Sequence, residues 1–126
     1  MALKIKLQAR KKEGAATVTL TGVLDNETYQ DFEKQMQALI TPAIKGLILD
    51  MKGLTYISSA GFASIFRARQ ALEKNSAALA IANLQPNVKR VFEALKVIPE
   101  SLFATLEGAD QYLDKYIAFI NSKKEP

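Results

Sequence analysis

The stretch GLILDMKGLTYISSAGFASIFRARQALEKN, Gly46 to Asn75, decides the fold. Leu47, Ile48 and Leu49 form an apolar run too short for a helix. Gly46 and Asp50 bound it, so it reads as a buried strand. Gly53 marks a loop, and a helix opens on paired serines. Ser58 is a natural N-cap, because its hydroxyl can accept from an N–H of the first turn that has no partner within the helix. Ser59 is then the first helical residue, at the positive end of the helix dipole. Phe62, Ile65, Phe66 and Leu72 recur at helical spacing and predict one apolar face. Arg69 falls near that face and must snorkel or pair. Asn75 is a plausible stop.

Upstream, Leu3, Ile5 and Leu7 alternate with Lys4, Lys6 and Gln8, the period of a half-exposed strand whose lysines suit a sheet edge. After a turn at Lys11 to Gly14, Val18 and Leu20 alternate with Thr17, Thr19 and Thr21, a second strand that completes a hairpin. It ends at Gly22-Val23-Leu24-Asp25. Asn26 or Thr28 is placed to cap a helix in which Tyr29, Phe32, Met36 and Leu39 share a buried face. Pro42 stops that helix.

Downstream, Leu79, Ile81 and Leu84 suggest another strand. Pro86 suits the first turn of a helix lined by Val88, Val91, Phe92 and Leu95 and closed by Pro99. Leu102 to Leu106 reads as a short strand. Tyr112, Leu113, Tyr116, Ile117 and Ile120 line a last helix with Asp110 in its first turn and Lys123 and Lys124 past its end. Residues 122–126 are expected to fray. The order β-β-α-β-α-β-α-β-α, without a linker or repeat, predicts one α/β domain over residues 1–126, its core at about 3–121. The sheet is mixed, with about five strands and four to five helices packed mainly on one face.

The 126 residues include no cysteine and no histidine. Disulfides, thiolate metal sites and a Ser-His-Asp triad are therefore excluded, and the usual zinc and haem ligands are missing. Only a Ser-Lys pair remains to activate a hydroxyl, with Lys52 the nearest lysine in sequence, and Ile57-Ser58-Ser59-Ala60-Gly61 is half of a nucleophile-elbow pattern. No phosphate-binding glycine loop is present. These residues point to a protein that is not an enzyme and needs no cofactor or metal. The formal charge of +4 is dispersed and lacks an aromatic-basic motif, so a nucleic-acid partner is not expected. No apolar run approaches a membrane span and no signal peptide is evident, which places the chain in the cytoplasm by expectation.

Ser59 stands out. Ala60 and Gly61 leave its hydroxyl uncrowded. Asp25 and Asp50 are expected at strand ends on the same sheet edge, where ligands and switches of open α/β sheets tend to sit. At these residues the chain resembles the STAS domains, in particular the bacterial anti-sigma factor antagonists. Their signature is a strand ending in aspartate, a loop, then Asp-Ser-x-Gly opening a helix. Asp50-Met51-Lys52-Gly53 and Ser58-Ser59-Ala60-Gly61-Phe62 take those places, and Gly22 to Asp25 and the segment Asn83, Pro86, Val88, Val91-Phe92 also match.

The resemblance implies an anti-sigma factor antagonist. Its partner is an anti-sigma factor that is also a serine kinase, of the histidine-kinase-like ATPase type. The unmodified antagonist binds that partner and releases the sigma factor. The kinase phosphorylates the serine at the position of Ser59, with Ser58 the alternative acceptor and Thr55 a lesser one, and a phosphatase resets the switch. The implied contact set is Asp25, Asp50, Thr55, Tyr56, Ser58, Ser59, Gly61 and Phe62. One departure from the signature is Ser58 where the family usually has aspartate. The competing reading is a scaffold or adaptor of the same fold that is never phosphorylated, in a stress-signalling or lipid-transport complex.

Overall fold

A computed structural model describes residues 3–9, 14–94, 102–103 and 106–123. The chain runs β1 (Leu3–Ala9), β2 (Ala15–Leu24), α1 (Tyr29–Leu39), β3 (Gly46–Ile57), α2 (Ser59–Lys74), β4 (Ala78–Ala82), α3 (Pro86–Ala94), β5 (Leu102–Phe103) and α4 (Leu106–Lys123). The expected element order is the observed one. The strands form one mixed sheet in the order β1-β2-β3-β4-β5. β1 and β2 are the antiparallel hairpin, and the other neighbours pair parallel.

Alternation along the strands sorts side chains between two faces. Val18, Leu20, Leu47, Leu49, Leu79 and Ile81 point to one face, where they meet Phe32 and Met36 of α1, Ile65, Ala68 and Leu72 of α2, and Val88 and Phe92 of α3. Ile48, Ala78, Ala80 and Ala82 point to the other, under Ala109 and Leu113 of α4. So, among the described residues, α1, α2 and α3 cover one face and α4 covers the second. The alanines of β4 leave the room that lets α4 sit close to the sheet. Gly46 adds to it, since a Cβ there would lie 3.0 Å from a Leu113 methyl.

The central strand differs most from expectation. β3 does not end at Asp50. It continues to Ile57, and Gly53 lies within it rather than in a loop. Two irregularities interrupt its pairing with β2, one between Thr19 and Thr21 and one between Gly22 and Val23, and each inserts one extra residue on β3. The core residues of β3 therefore run Leu47, Leu49, Met51, Leu54, Ile57. That spacing changes from two to three, so period two breaks at each bulge. Thr55, expected in a loop, is an exposed strand residue whose hydroxyl donates to the Gly22 carbonyl at 3.1 Å.

Beyond Asp50, β3 has no strand partner on the β4 side among the described residues, because β4 ends opposite Asp50 at Ala82. Side-chain amides take the place of a strand there. Asn83 donates to the Asp50 carboxylate at 3.0 Å, Gln85 donates to the Lys52 carbonyl, and Asn87 donates to the Thr55 carbonyl. Two of these bonds occupy backbone carbonyls that a neighbouring strand would otherwise pair. Asn83 also adopts a left-handed backbone, φ 61°.

Some expectations about helix faces need correction. Phe66 is not core. It is 40% exposed, and α2 instead buries Gly61, Ser64, Ile65, Ala68 and Leu72. Position 66 turns about 100° away from position 65, off the buried line. Arg69 pairs with Glu73 at 3.1 Å, and Arg67 pairs with Glu33 across α1 and α2. α2 ends with Ser76 left-handed at φ 56°, Ser76 N–H on the Glu73 carbonyl and Ala77 N–H on the Leu72 carbonyl. This is a Schellman arrangement with serine where glycine is usual, and it follows Asn75, the C-cap, which is the expected stop.

α4 starts at Leu106, so Glu107 and not Asp110 lies in its first turn, and Lys123 is within the helix. Leu95, Pro99 and the turn residues 11–13 lie outside the described residues. Tyr116 donates to the Ser76 carbonyl at 3.2 Å. Burial, then neighbouring Tyr112 and Glu73, push its hydroxyl pKa above the usual phenol value.

Asn83→Ala is expected to lose about 2 kcal/mol in urea melts, combining left-handed strain with a lost hydrogen bond. Asn83→Gly keeps the backbone geometry and should lose about 1 kcal/mol.

Candidate functional site

The site is built where β2 and β3 end and α1 and α2 begin. Asp25 follows β2 and closes a turn: its Oδ1 accepts from Glu27 N–H at 2.9 Å and Thr28 N–H at 3.1 Å. The Thr28 hydroxyl accepts from Asp25 N–H and donates to the Val23 carbonyl, each at 2.9 Å. Thr28 is the N-cap residue of α1, but its side chain makes no cap bond to that helix. It fastens the turn instead, and the turn presents Asn26 toward the start of α2.

Ser58 is the N-cap of α2, with φ −95° and ψ 174°. Its backbone N–H donates to the Leu24 carbonyl at 3.0 Å. Its hydroxyl accepts from Gly61 N–H at 3.1 Å and donates to Asn26 Oδ1 at 3.2 Å. The Ser58 hydroxyl is thus engaged in both directions, as a capping residue should be. Gly61 is buried directly over the end of β2. A Cβ there would stand 2.3 Å from the Leu24 carbonyl oxygen, a clash with backbone that no rotamer relieves. Glycine is required at this position for close approach.

Ser59, the first residue of α2, is exposed, and its hydroxyl has no hydrogen-bond partner among the described residues. Next to it, Tyr56 is 52% exposed and Thr55 is exposed. Phe62 is half-buried and packs edge-on against Phe92, with ring centroids 4.9 Å apart. The structure therefore gathers Asp25, Thr55, Tyr56, Ser58, Ser59, Gly61 and Phe62 around one end of the sheet.

Asp50 is not among them. It pairs with Thr19 in mid-strand while Ile57 pairs with Leu24, a span of about 17 Å along β2 at ~3.3 Å per residue. Its carboxylate accepts from Lys52 N–H at 3.2 Å and from Asn83. The expectation that Asp25 and Asp50 share an edge fails because β3 outruns its predicted end. Asn26 is the site residue that the sequence reading assigned only to capping. Its signal was an Asp-Asn pair just after a strand, a common turn composition.

At the helix start the set offers the Ser59 hydroxyl, which no side chain among the described residues hydrogen-bonds. Among the described residues no cluster of acidic side chains could hold a metal ion, and no helix is long and apolar enough to cross a membrane.

With this geometry in place, comparison with known proteins is informative. The STAS domain family model matches residues 6–109. The chain belongs to the STAS domain family. It is 29% identical over 89 residues to BtrV of Bordetella bronchiseptica, provisionally assigned as an anti-sigma factor antagonist; the match spans 71% of this chain and 77% of BtrV. Its fold is similar to the crystal structure of an anti-sigma factor antagonist from Mycobacterium paratuberculosis, with TM-score 0.78 and 18% identity over 90% of this chain and 95% of that one. It is also similar to the anti-sigma factor antagonist SpoIIAA in its unphosphorylated form, with TM-score 0.74 and 20% identity over 90% and 97% of the two chains. The phosphorylated form of the Bacillus SpoIIAA matches with TM-score 0.66 and 19% identity over 88% and 98%.

Gly61→Ala is expected to cost about 3 kcal/mol or more, since the added methyl must displace backbone at the end of β2. Ser58→Ala should cost about 1 kcal/mol through loss of the cap. Denaturant melts of both variants check these values, and the ordering Gly61→Ala above Ser58→Ala is the sharper test.

Proposed function

We propose that the protein is an anti-sigma factor antagonist, a regulatory domain that binds an anti-sigma factor and is switched off by phosphorylation of Ser59. The observation that carries this reading is the contrast between the two serines. Ser58 spends its hydroxyl on Gly61 N–H and Asn26, whereas Ser59 presents an exposed hydroxyl with no partner among the described residues. A kinase needs an acceptor of the second kind. The names of BtrV and of the structural relatives support the antagonist role, and the two forms of SpoIIAA support a phosphate switch on this fold. The partner is then an anti-sigma factor with serine kinase activity, of the histidine-kinase-like ATPase type, and a phosphatase reverses the modification.

The electrostatics of Ser59 suit such a switch. A phosphoserine carries about −1.5 to −2 charges at neutral pH. At the first turn of a helix, free backbone N–H groups and the dipole tolerate an anion, so the domain keeps its fold. At an interface the same group must be desolvated, and a penalty of about 1–3 kcal/mol already weakens binding roughly 5–150-fold. Tyr56 and the exposed part of Phe62 flank the serine and supply the apolar contact that unmodified binding needs.

Incubation with the cognate kinase and ATP, read by intact mass, is expected to add one phosphate to wild type and to Ser58→Ala, and none to Ser59→Ala. Ser59→Asp should keep its thermal midpoint within a few degrees and bind the anti-sigma factor at least tenfold more weakly. Equal binding by Ser59→Asp and wild type, with no phosphate gained, would replace the switch by the scaffold reading.

A further inference from the structure

β1 is an edge strand that pairs only with β2 among the described residues. Its side chains divide sharply. Leu3, Ile5 and Leu7 stand on the side of the three-helix core. Leu3 and Ile5 pack against that core, while Leu7 is 54% exposed. Lys4 and Lys6 stand on the other side, exposed and without an ion pair among the described residues. They face threonine: Lys4 pairs in register with Thr21 and Lys6 with Thr19. The next position across the sheet from Thr19 is Asp50, the one carboxylate in this row, and it is already engaged by Asn83 and Lys52 N–H. Lys52, exposed and likewise without an ion pair, follows on β3.

We infer that the β1 edge is a docking surface for an acidic, extended segment of a partner protein, which adds to the sheet as a sixth strand beside β1. Three properties select this occupant. An edge strand offers unpaired backbone donors and acceptors, the basis of strand addition. The Lys4 and Lys6 side calls for carboxylates at alternate positions, because opposite charges on neighbouring strands attract and like charges repel. The opposite side calls for an apolar residue to cover Leu7. A second copy of the chain is disfavoured by the same charges, since antiparallel pairing about Ile5 would set Lys4 against Lys6 of the other copy. Lysines on an edge thus exclude self-pairing while admitting an acidic strand. This surface lies on a different element from Ser59 and stands whether or not Ser59 is phosphorylated.

The test is amide chemical-shift mapping on the full chain labelled with nitrogen-15. The probes are an end-blocked octapeptide of alternating glutamate and valine and its lysine-valine counterpart. The glutamate peptide should shift amides concentrated in Leu3 to Ala9, bind about tenfold more tightly than the lysine peptide, and weaken as salt rises. The double variant K4E/K6E should reverse the preference, and K4Q/K6Q should abolish it. Both replace exposed side chains, and unchanged thermal midpoints confirm folding. Equal affinity for the two peptides, shifts that fall elsewhere, or dimerisation of the wild-type chain through β1 would each overturn the inference.

Discussion

The Leu24 carbonyl is the point on which the rest of the structure turns. It ends β2, accepts the Ser58 N–H at 3.0 Å, and lies beneath Gly61, whose missing Cβ would otherwise stand 2.3 Å from it. These contacts fix where β3 must stop and how steeply α2 leaves the sheet. Once α2 is set at that angle, Ile65, Ala68 and Leu72 fall onto the core, and the outward side of the first turn is left to Ser59. The exposure of Ser59 is therefore a consequence of packing one turn further on. A side chain at position 61 would lift the helix start and change the presentation of the serine.

The second constraint is length. β3 spans twelve residues while β4 spans five, so more than half of the central strand lacks a strand neighbour on one side among the described residues. Two bulges twist that half and turn Met51, Leu54 and Ile57 in succession to the core. Asn83 and Gln85 from the β4–α3 connection, and Asn87 from the first turn of α3, then hydrogen-bond it. Amides suit this task because each carries two N–H donors and can reach a backbone carbonyl or a carboxylate alike. The arrangement also anchors α3 against Phe62 through Phe92, tying the two helices that flank the serine end of the sheet.

What the sequence made legible follows from this. Regular alternation revealed β1 and β2, and the serine pair before Gly61 revealed the helix start, because both depend on local chemistry. The far half of β3 was hidden because its buried positions are spaced two, two, three and three, which matches neither a strand nor a helix. That misplaced Asp50, which then looked like a companion of Asp25. Phe66 misled for a related reason: α2 buries Gly61, Ser64 and Ala68, small residues that carry little hydrophobic signal, so the larger exposed phenylalanine stood in for them. α4 on the opposite face was written in the alanines of β4 and in Gly46, yet small residues announce close packing only once the partner helix is known.

The replacement of the family's aspartate by Ser58 bears on how a phosphate at Ser59 would be felt. An aspartate there could cap the helix, but it would set a carboxylate beside the modified residue and raise the cost of the phosphate even within the domain. Ser58 caps with a neutral oxygen and shares its proton with neutral Asn26. The carboxylate that remains in the cluster, Asp25, has one oxygen held by two backbone N–H groups in its own turn. A phosphate at Ser59 would meet helix-start donors with little internal repulsion, so the free protein would accommodate it readily. On the proposed switch, the discrimination between the two forms would then come from the partner, through desolvation of the phosphate against its surface. A switch of that kind would be strong only where the interface closes tightly over the first turn of α2, and the fit around Tyr56 and Phe62 would then matter as much as the charge itself.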